Sequence, residues 1–121
     1  MDKKILLVDD AAFMRMLIKD TLTKNGYTNI LEAQDGAIAC QTYEAEKPDL
    51  VIMDITMPNM DGLQALKKIK ENHPDAKIVM CTAMGQESMV VDAIKSGARD
   101  FVVKPFNAER ITSTVKNILG G

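Results

Sequence analysis

Apolar runs and amphipathic stretches alternate five times along the chain. The runs are Ile5-Leu6-Leu7-Val8, Thr28 to Ala33, Leu50-Val51-Ile52-Met53, Ala76 to Cys81 and Asp100-Phe101-Val102-Val103. Apolar runs this short, bounded by turn residues, predict strands, and an unbroken apolar character predicts burial on both faces. The stretches between them repeat apolar residues at helical spacing. The first carries Met14, Leu17/Ile18 and Thr21/Leu22 and stops at Asn25-Gly26, where glycine supplies a left-handed residue. The second starts at Asp35-Gly36, with Ala37, Cys40 and Tyr43 as its expected inner face, and is broken by Lys47-Pro48-Asp49. The third carries Leu63, Leu66 and Ile69 and stops by His73-Pro74, because a residue before proline avoids the helical region. The fourth spans about Gln86 to Ser96 and ends at Gly97. Asn107 can cap the fifth, where Ile111, Val115 and Ile118 share a face before Gly120-Gly121.

Alternating strands and helices with apolar strands imply a parallel sheet covered by helices on both sides. For five strands the economical arrangement is a doubly wound, three-layer α/β sandwich, (βα)5. The 121 residues give room for one core, so a single domain over residues 1–121 is expected. A net charge of −2 leaves no basic footprint for nucleic acid and no attraction to an anionic membrane. No apolar run approaches the ~20 residues of a membrane span, and the first run is too short for a signal peptide. A cytoplasmic protein is expected. Cys40 and Cys81 fit no metal-ligand spacing and read as reduced, largely buried residues.

The carboxyl ends of the predicted strands carry the polar residues of interest. Asp9-Asp10 follow the first, Asp54 the third, Thr82 the fourth and Lys104 the fifth. Open α/β sheets bind ligands at this edge. Each residue alone has an ordinary explanation: an aspartate there caps a helix, a threonine satisfies its own hydroxyl, a lysine is solvated. Those explanations do not account for three carboxylates, a hydroxyl and an ammonium at one edge. Three carboxylates repel unless a cation sits among them, and all-oxygen ligation favours a hard ion such as Mg²⁺. Its expected ligands are Asp10, Asp54, the backbone carbonyl near Thr56, and Asp9 directly or through water.

Phosphoryl transfer to Asp54 follows as the reaction. A carboxylate is ionised at pH 7 and needs no general base. Its difficulty is repulsion from an anionic phosphoryl group, which Mg²⁺ and Lys104 offset. Thr82 offers a hydroxyl donor. His73, the sole histidine, lies away from this edge and is expected at the surface. No G-x-x-x-x-G-K-[ST] loop is present, so the donor is expected to be a phosphorylated partner or a small activated phosphate.

With these residues in place, the sequence resembles the receiver domains of two-component response regulators from about Lys4 to Leu119. The resemblance rests on Asp9-Asp10, on Asp54 with Met57-Pro58 and Asp61-Gly62, on Thr82-Ala83, and on Lys104-Pro105-Phe106. It implies a flavodoxin-like fold with strand order 2-1-3-4-5. It implies that Asp54 accepts phosphate from a phosphohistidine on a sensor histidine kinase, that Asp9 and Asp10 hold Mg²⁺, and that Lys104 and Thr82 contact the phosphoryl group. Thr82 and Phe101 take the switch positions, Thr82 moving inward and Phe101 turning from solvent toward the core. Thr56 and Met84, each two residues beyond Asp54 or Thr82, tune dephosphorylation; Met84 cannot orient water, which implies slow-to-moderate hydrolysis. The Lys104-Pro105 bond resembles the family's cis peptide.

Asp9-Asp10-Ala11-Ala12-Phe13-Met14-Arg15 and Ala83-Met84-Gly85 are similar to the single-domain chemotaxis regulators. That similarity implies a monomer without catalytic turnover, whose output is binding to the flagellar motor switch through the fourth helix, fifth strand and fifth helix, and it leaves room for a dedicated phosphatase. Phe101 departs from the tyrosine of the best-known members, so the ring can switch but no tyrosine hydroxyl takes part. Val90 on the fourth helix is weighed as an exposed contact against ordinary core. Three other readings compete. An aspartate-nucleophile phosphatase needs a second aspartate where Thr56 stands. A flavodoxin needs a Ser/Thr/Gly-rich loop where Asp9-Asp10 stand. A phosphorelay shuttle to a histidine phosphotransfer protein uses the same site and differs only in partner.

Overall fold

A computed structural model describes residues 3–57, 59–83, 86–104 and 107–120. Ten elements alternate along the chain: β1 (Lys4–Val8), α1 (Ala12–Lys24), β2 (Asn29–Ala33), α2 (Gly36–Glu46), β3 (Leu50–Asp54), α3 (Gly62–Asn72), β4 (Ile78–Thr82), α4 (Glu87–Lys95), β5 (Asp100–Val103) and α5 (Ala108–Leu119). The strands form one parallel sheet in the order β2-β1-β3-β4-β5.

The strands are apolar throughout because each feeds two cores. Successive side chains point to opposite faces. Leu6, Val8, Val51, Met53, Ile78 and Met80 face α2, α3 and α4; Ile5, Leu7, Ile52, Val79, Cys81 and Val102 face α1 and α5. Local chemistry sets the helix ends. Asp35 Oδ1 accepts from Ile38 N, Asn107 Oδ1 accepts from Arg110 N, and Asp61 with Gln64 closes a reciprocal capping box. Arg110 on α5 also reaches β5, donating to the Phe101 carbonyl at 2.8 Å.

Several expectations shift. The inner face of α2 is Gly36, Ala39 and Tyr43; Ala37 and Cys40 are only half-buried. The helix starts at Gly36, whose close approach to the β3–α3 loop turns Ala39 inward in place of Ala37. On α1 the buried stripe narrows to Ile18 and Leu22, with Met14 half-buried and Leu17 exposed. The fourth strand is displaced toward Thr82, which pairs with Val103, while Ala76 turns on a hydrogen bond to the His73 carbonyl. His73 is not a free surface residue: half-buried, it meets Glu44 Oε1 at 2.8 Å and its ring lies 5.0 Å from that of Tyr43. Met57 and Met60 join the core on the α2–α3–α4 side, Met57 buried and Met60 half-buried.

Candidate functional site

Strand register assembles the site. Val8 pairs with Met53, so Asp9 and Asp54, one residue further, stand side by side. Asp54 pairs with Cys81, and Thr82 with Val103, which brings Lys104 to the same edge. Lys104 N donates to the Thr82 carbonyl at 2.7 Å and fixes the turn out of β5.

Carboxylate oxygens of Asp9, Asp10 and Asp54 lie within 4.8 Å of one another. Lys104 Nζ sits 3.0 Å from Asp54 Oδ2 and 3.2 Å from Asp9 Oδ2. Asp9 Oδ1 also accepts from Ala11 N at 2.9 Å. Asp9 and Asp54 are buried, whereas Asp10 is exposed and caps no helix; α1 begins after Ala11 without a side-chain cap. Nearby Arg15 donates to the Asp9 backbone carbonyl, but its charge is matched by Glu32 at 2.9 Å.

The electrostatics follow from this shortage of positive charge. Burial pushes the Asp54 carboxyl above its ordinary value; Lys104 opposes the shift, Asp9 reinforces it, and burial prevails. Lys104 moves up as well: burial favours the neutral amine, but two carboxylates outweigh it. Three carboxylates against one contacting ammonium leave an all-oxygen cluster suited to a hard divalent cation. Cys81, on β4 opposite Asp54, is pushed up to about 12 by burial and is no nucleophile at neutral pH.

The residues expected at the switch positions lie beside this cluster. Thr82 is buried, and its hydroxyl is directed at Gln86 Oε1, 2.9 Å away. Gln86 Nε2 donates to Thr56 Oγ1 at 2.7 Å. Phe101 is half-buried, packed on the α2–α3–α4 core. Val90, Val91, Ile94, Phe101 and Val103 line an open apolar groove of about 720 Å³, with Thr82 and Gln86 also on its wall. Val90 thus serves both sides, half-buried on the core and facing the groove. Met84 and the Lys104-Pro105 bond, like Pro58 and Phe106, lie outside the described residues.

The β3–α3 loop is held by features that strand patterning does not reveal. Asp35 Oδ2 accepts from Asn59 Nδ2 at 2.9 Å, and Gly36 N donates to the Met60 carbonyl. A Cβ on Gly36 would stand 2.4 Å from that carbonyl oxygen, and one on Gly62 would stand 2.0 Å from the Asp54 carbonyl oxygen. Asp35-Gly36 was visible as a helix start and Asp61-Gly62 as part of the motif that follows Asp54; the loop contacts need the fold. Gln86 carried no such signal; in the sequence it stands only as the approximate start of the fourth helix.

A doubly wound sheet with an aspartate triad and a lysine at its carboxyl edge defines a receiver, and the chain belongs to the response regulator receiver domain family, whose model matches residues 5–116. It is similar to the chemotaxis protein CheY of Bacillus subtilis, 57% identical over 98% of this chain and 99% of that one. It is also similar to the chemotaxis protein CheY of Thermotoga maritima, 52% identical over 98% of each chain. Among solved structures, the receiver domain of NtrX from Brucella abortus superposes with a TM-score of 0.91 at 34% identity, over 97% of this chain and 98% of that one.

Proposed function

We propose that this protein is a chemotaxis response regulator, a receiver over residues 1–121 that is phosphorylated on Asp54 by a sensor histidine kinase and signals by binding the flagellar motor switch. The observation that carries it is the contact of buried Asp54 with Lys104, beside Asp9 and Asp10. The relatives named for chemotaxis match nearly their whole length, which favours this reading over a phosphorelay shuttle.

In this reaction an Asp54 carboxylate oxygen attacks phosphorus in line. The O–P bond forms as the P–N bond of the phosphohistidine breaks, and the imidazole nitrogen keeps the electron pair. Lys104 stays against the acceptor and offsets the phosphoryl charge. Thr82 donates its hydroxyl to a phosphoryl oxygen, and Phe101 follows into the space it leaves. Mg²⁺, held by Asp10, Asp54, the Thr56 backbone carbonyl and Asp9, supplies the remaining positive charge when bound. Thr56 and Met84 flank the acyl phosphate and govern water access. Thr56 occupies the place of a second aspartate, so the domain does not turn over phosphate esters. The changed surface is the groove of α4 and β5 with α5. No helix among the described residues is long and apolar enough to cross a membrane, in keeping with a protein working in the cytoplasm between kinase and motor.

Incubation with acetyl phosphate and Mg²⁺ should add one phosphoryl group to Asp54, located by mass spectrometry. Labelling that persists in Asp54→Asn, or that is indifferent to Mg²⁺, would overturn the assignment. A pull-down with and without beryllofluoride tests the output: capture of a motor-switch protein only with the mimic supports chemotaxis, and capture of a histidine phosphotransfer protein supports the shuttle.

A further inference from the structure

Gln86 stands where α4 begins, yet its side chain does not serve that helix. It occupies the N-cap position, with φ −107° and ψ 29°, and makes no side-chain bond to the first turn. The carboxamide turns back onto the strand ends. Its Oε1 accepts from Thr82 Oγ1 at 2.9 Å and from Ala83 N at 2.7 Å, while Nε2 donates to Thr56 Oγ1 at 2.7 Å. Both lone pairs of the oxygen are occupied. One side chain therefore ties the end of β4 to the residue two beyond Asp54, and it is the nearer of two acceptors for the Thr82 hydroxyl, at 2.9 Å against 3.1 Å for the Ala83 carbonyl.

We propose that Gln86 is a positioning residue that holds the Thr82 hydroxyl in the resting protein and must release it for the switch to proceed. The proposal rests on the function given above, in which that hydroxyl passes to a phosphoryl oxygen. A hydroxyl carries one proton, so Thr82 cannot donate to Gln86 and to the phosphoryl group together. The charged oxygen is the stronger acceptor and wins the competition. Gln86 then loses one of its three bonds. Because it also lines the groove with Val90 and Phe101, the loss is felt where a partner would dock. The Gln86–Thr82 bond is a restraint that favours the resting state, and its removal favours the active one.

The test is beryllofluoride affinity in the presence of Mg²⁺, followed by fluorine NMR. Gln86→Leu removes the polar atoms of the side chain and leaves an apolar one of similar bulk. The loss of one neutral hydrogen bond should tighten binding by about 3- to 10-fold. In a Thr82→Ala background, with no hydroxyl to hold, Gln86→Leu should leave affinity unchanged. Equal gains in both backgrounds would mean that Gln86 merely shapes the start of α4, and an unchanged or weaker affinity with Thr82 present would also refute the restraint. The wild-type protein gives a check without any variant: the Gln86 side-chain amide signals should move when beryllofluoride is added, and signals that stay in place overturn the proposal. Failure of the wild type to bind beryllofluoride at all removes the underlying function, and the restraint with it.

Discussion

The two sides of the site are built differently. On the β3 side, α3 buries Gly62, Ala65, Leu66 and Ile69, and the loop before it is tied by Gly62 N to Ile55 O and by Asp35 to Asn59. On the β4 side, α4 buries only Ala93, and the described link to the strand ends is one glutamine side chain. Backbone contacts too tight to admit a Cβ at Gly36 or Gly62 hold the loop beside Asp54. Side-chain hydrogen bonds worth about 1 kcal/mol each can be exchanged for others of similar strength. In the proposed function the first side would align the phosphoryl group and the second would report its arrival.

The largest effect is expected on the α3 side. Leu66→Ala should cost about 2–5 kcal/mol of stability in urea denaturation, since the side chain is fully buried under the sheet. A cost near zero would mean that α3 is no better anchored than α4. Gly62→Ala should cost about 1–3 kcal/mol through overpacking, because its Cβ would overlap the Asp54 carbonyl. The same variant should weaken Mg²⁺-dependent beryllofluoride binding by displacing Asp54, and an unchanged affinity would show that the loop is free to adapt.

The effect of Asp54→Asn should depend on pH. The folded-state pKa of Asp54 lies above its unfolded value, so ionising it costs the folded protein stability. That cost is absent below the unfolded pKa, about 3.9, and complete above the folded one. The variant should therefore be more stable than wild type at neutral pH without Mg²⁺, with the advantage vanishing as pH falls to about 4. An advantage that grew toward low pH would contradict the assigned shift. The smallest effect belongs to the α4 side: Val91→Ser, on the exposed face of α4, should change stability by no more than about 0.5 kcal/mol. A loss above about 1 kcal/mol would place Val91 in the core.

Strand-edge chemistry was legible because parallel strands in register bring their following residues together, and Asp9, Asp54, Thr82 and Lys104 each follow or end an apolar run. The buried pattern of β1 and β3 was likewise plain, since both faces are covered. Helix faces were less so. On α2, Ala37 and Ala39 are identical residues two positions apart, and nothing local distinguishes them; the close packing of Gly36 against Met60 exists only in the folded chain. His73 was misplaced because its partners, Glu44 and Tyr43, come from another helix. Gln86 was invisible as a site residue for the same reason: a single glutamine has no spacing to betray it, and its partners Thr56 and Thr82 meet only once β3 and β4 pair.

Phe101 has one further consequence. It belongs to β5, the last strand of the sheet, where unpaired main-chain groups would ordinarily invite another strand to add. At Phe101 those groups are already taken: its N–H donates to the Asp100 carboxylate at 2.8 Å, and its carbonyl accepts from Arg110. The margin of the sheet is thus blunted at Phe101. A partner that settles on α4 and β5 must recognise side chains at that point and cannot extend the ladder through it, so this stretch of edge is no template for aggregation.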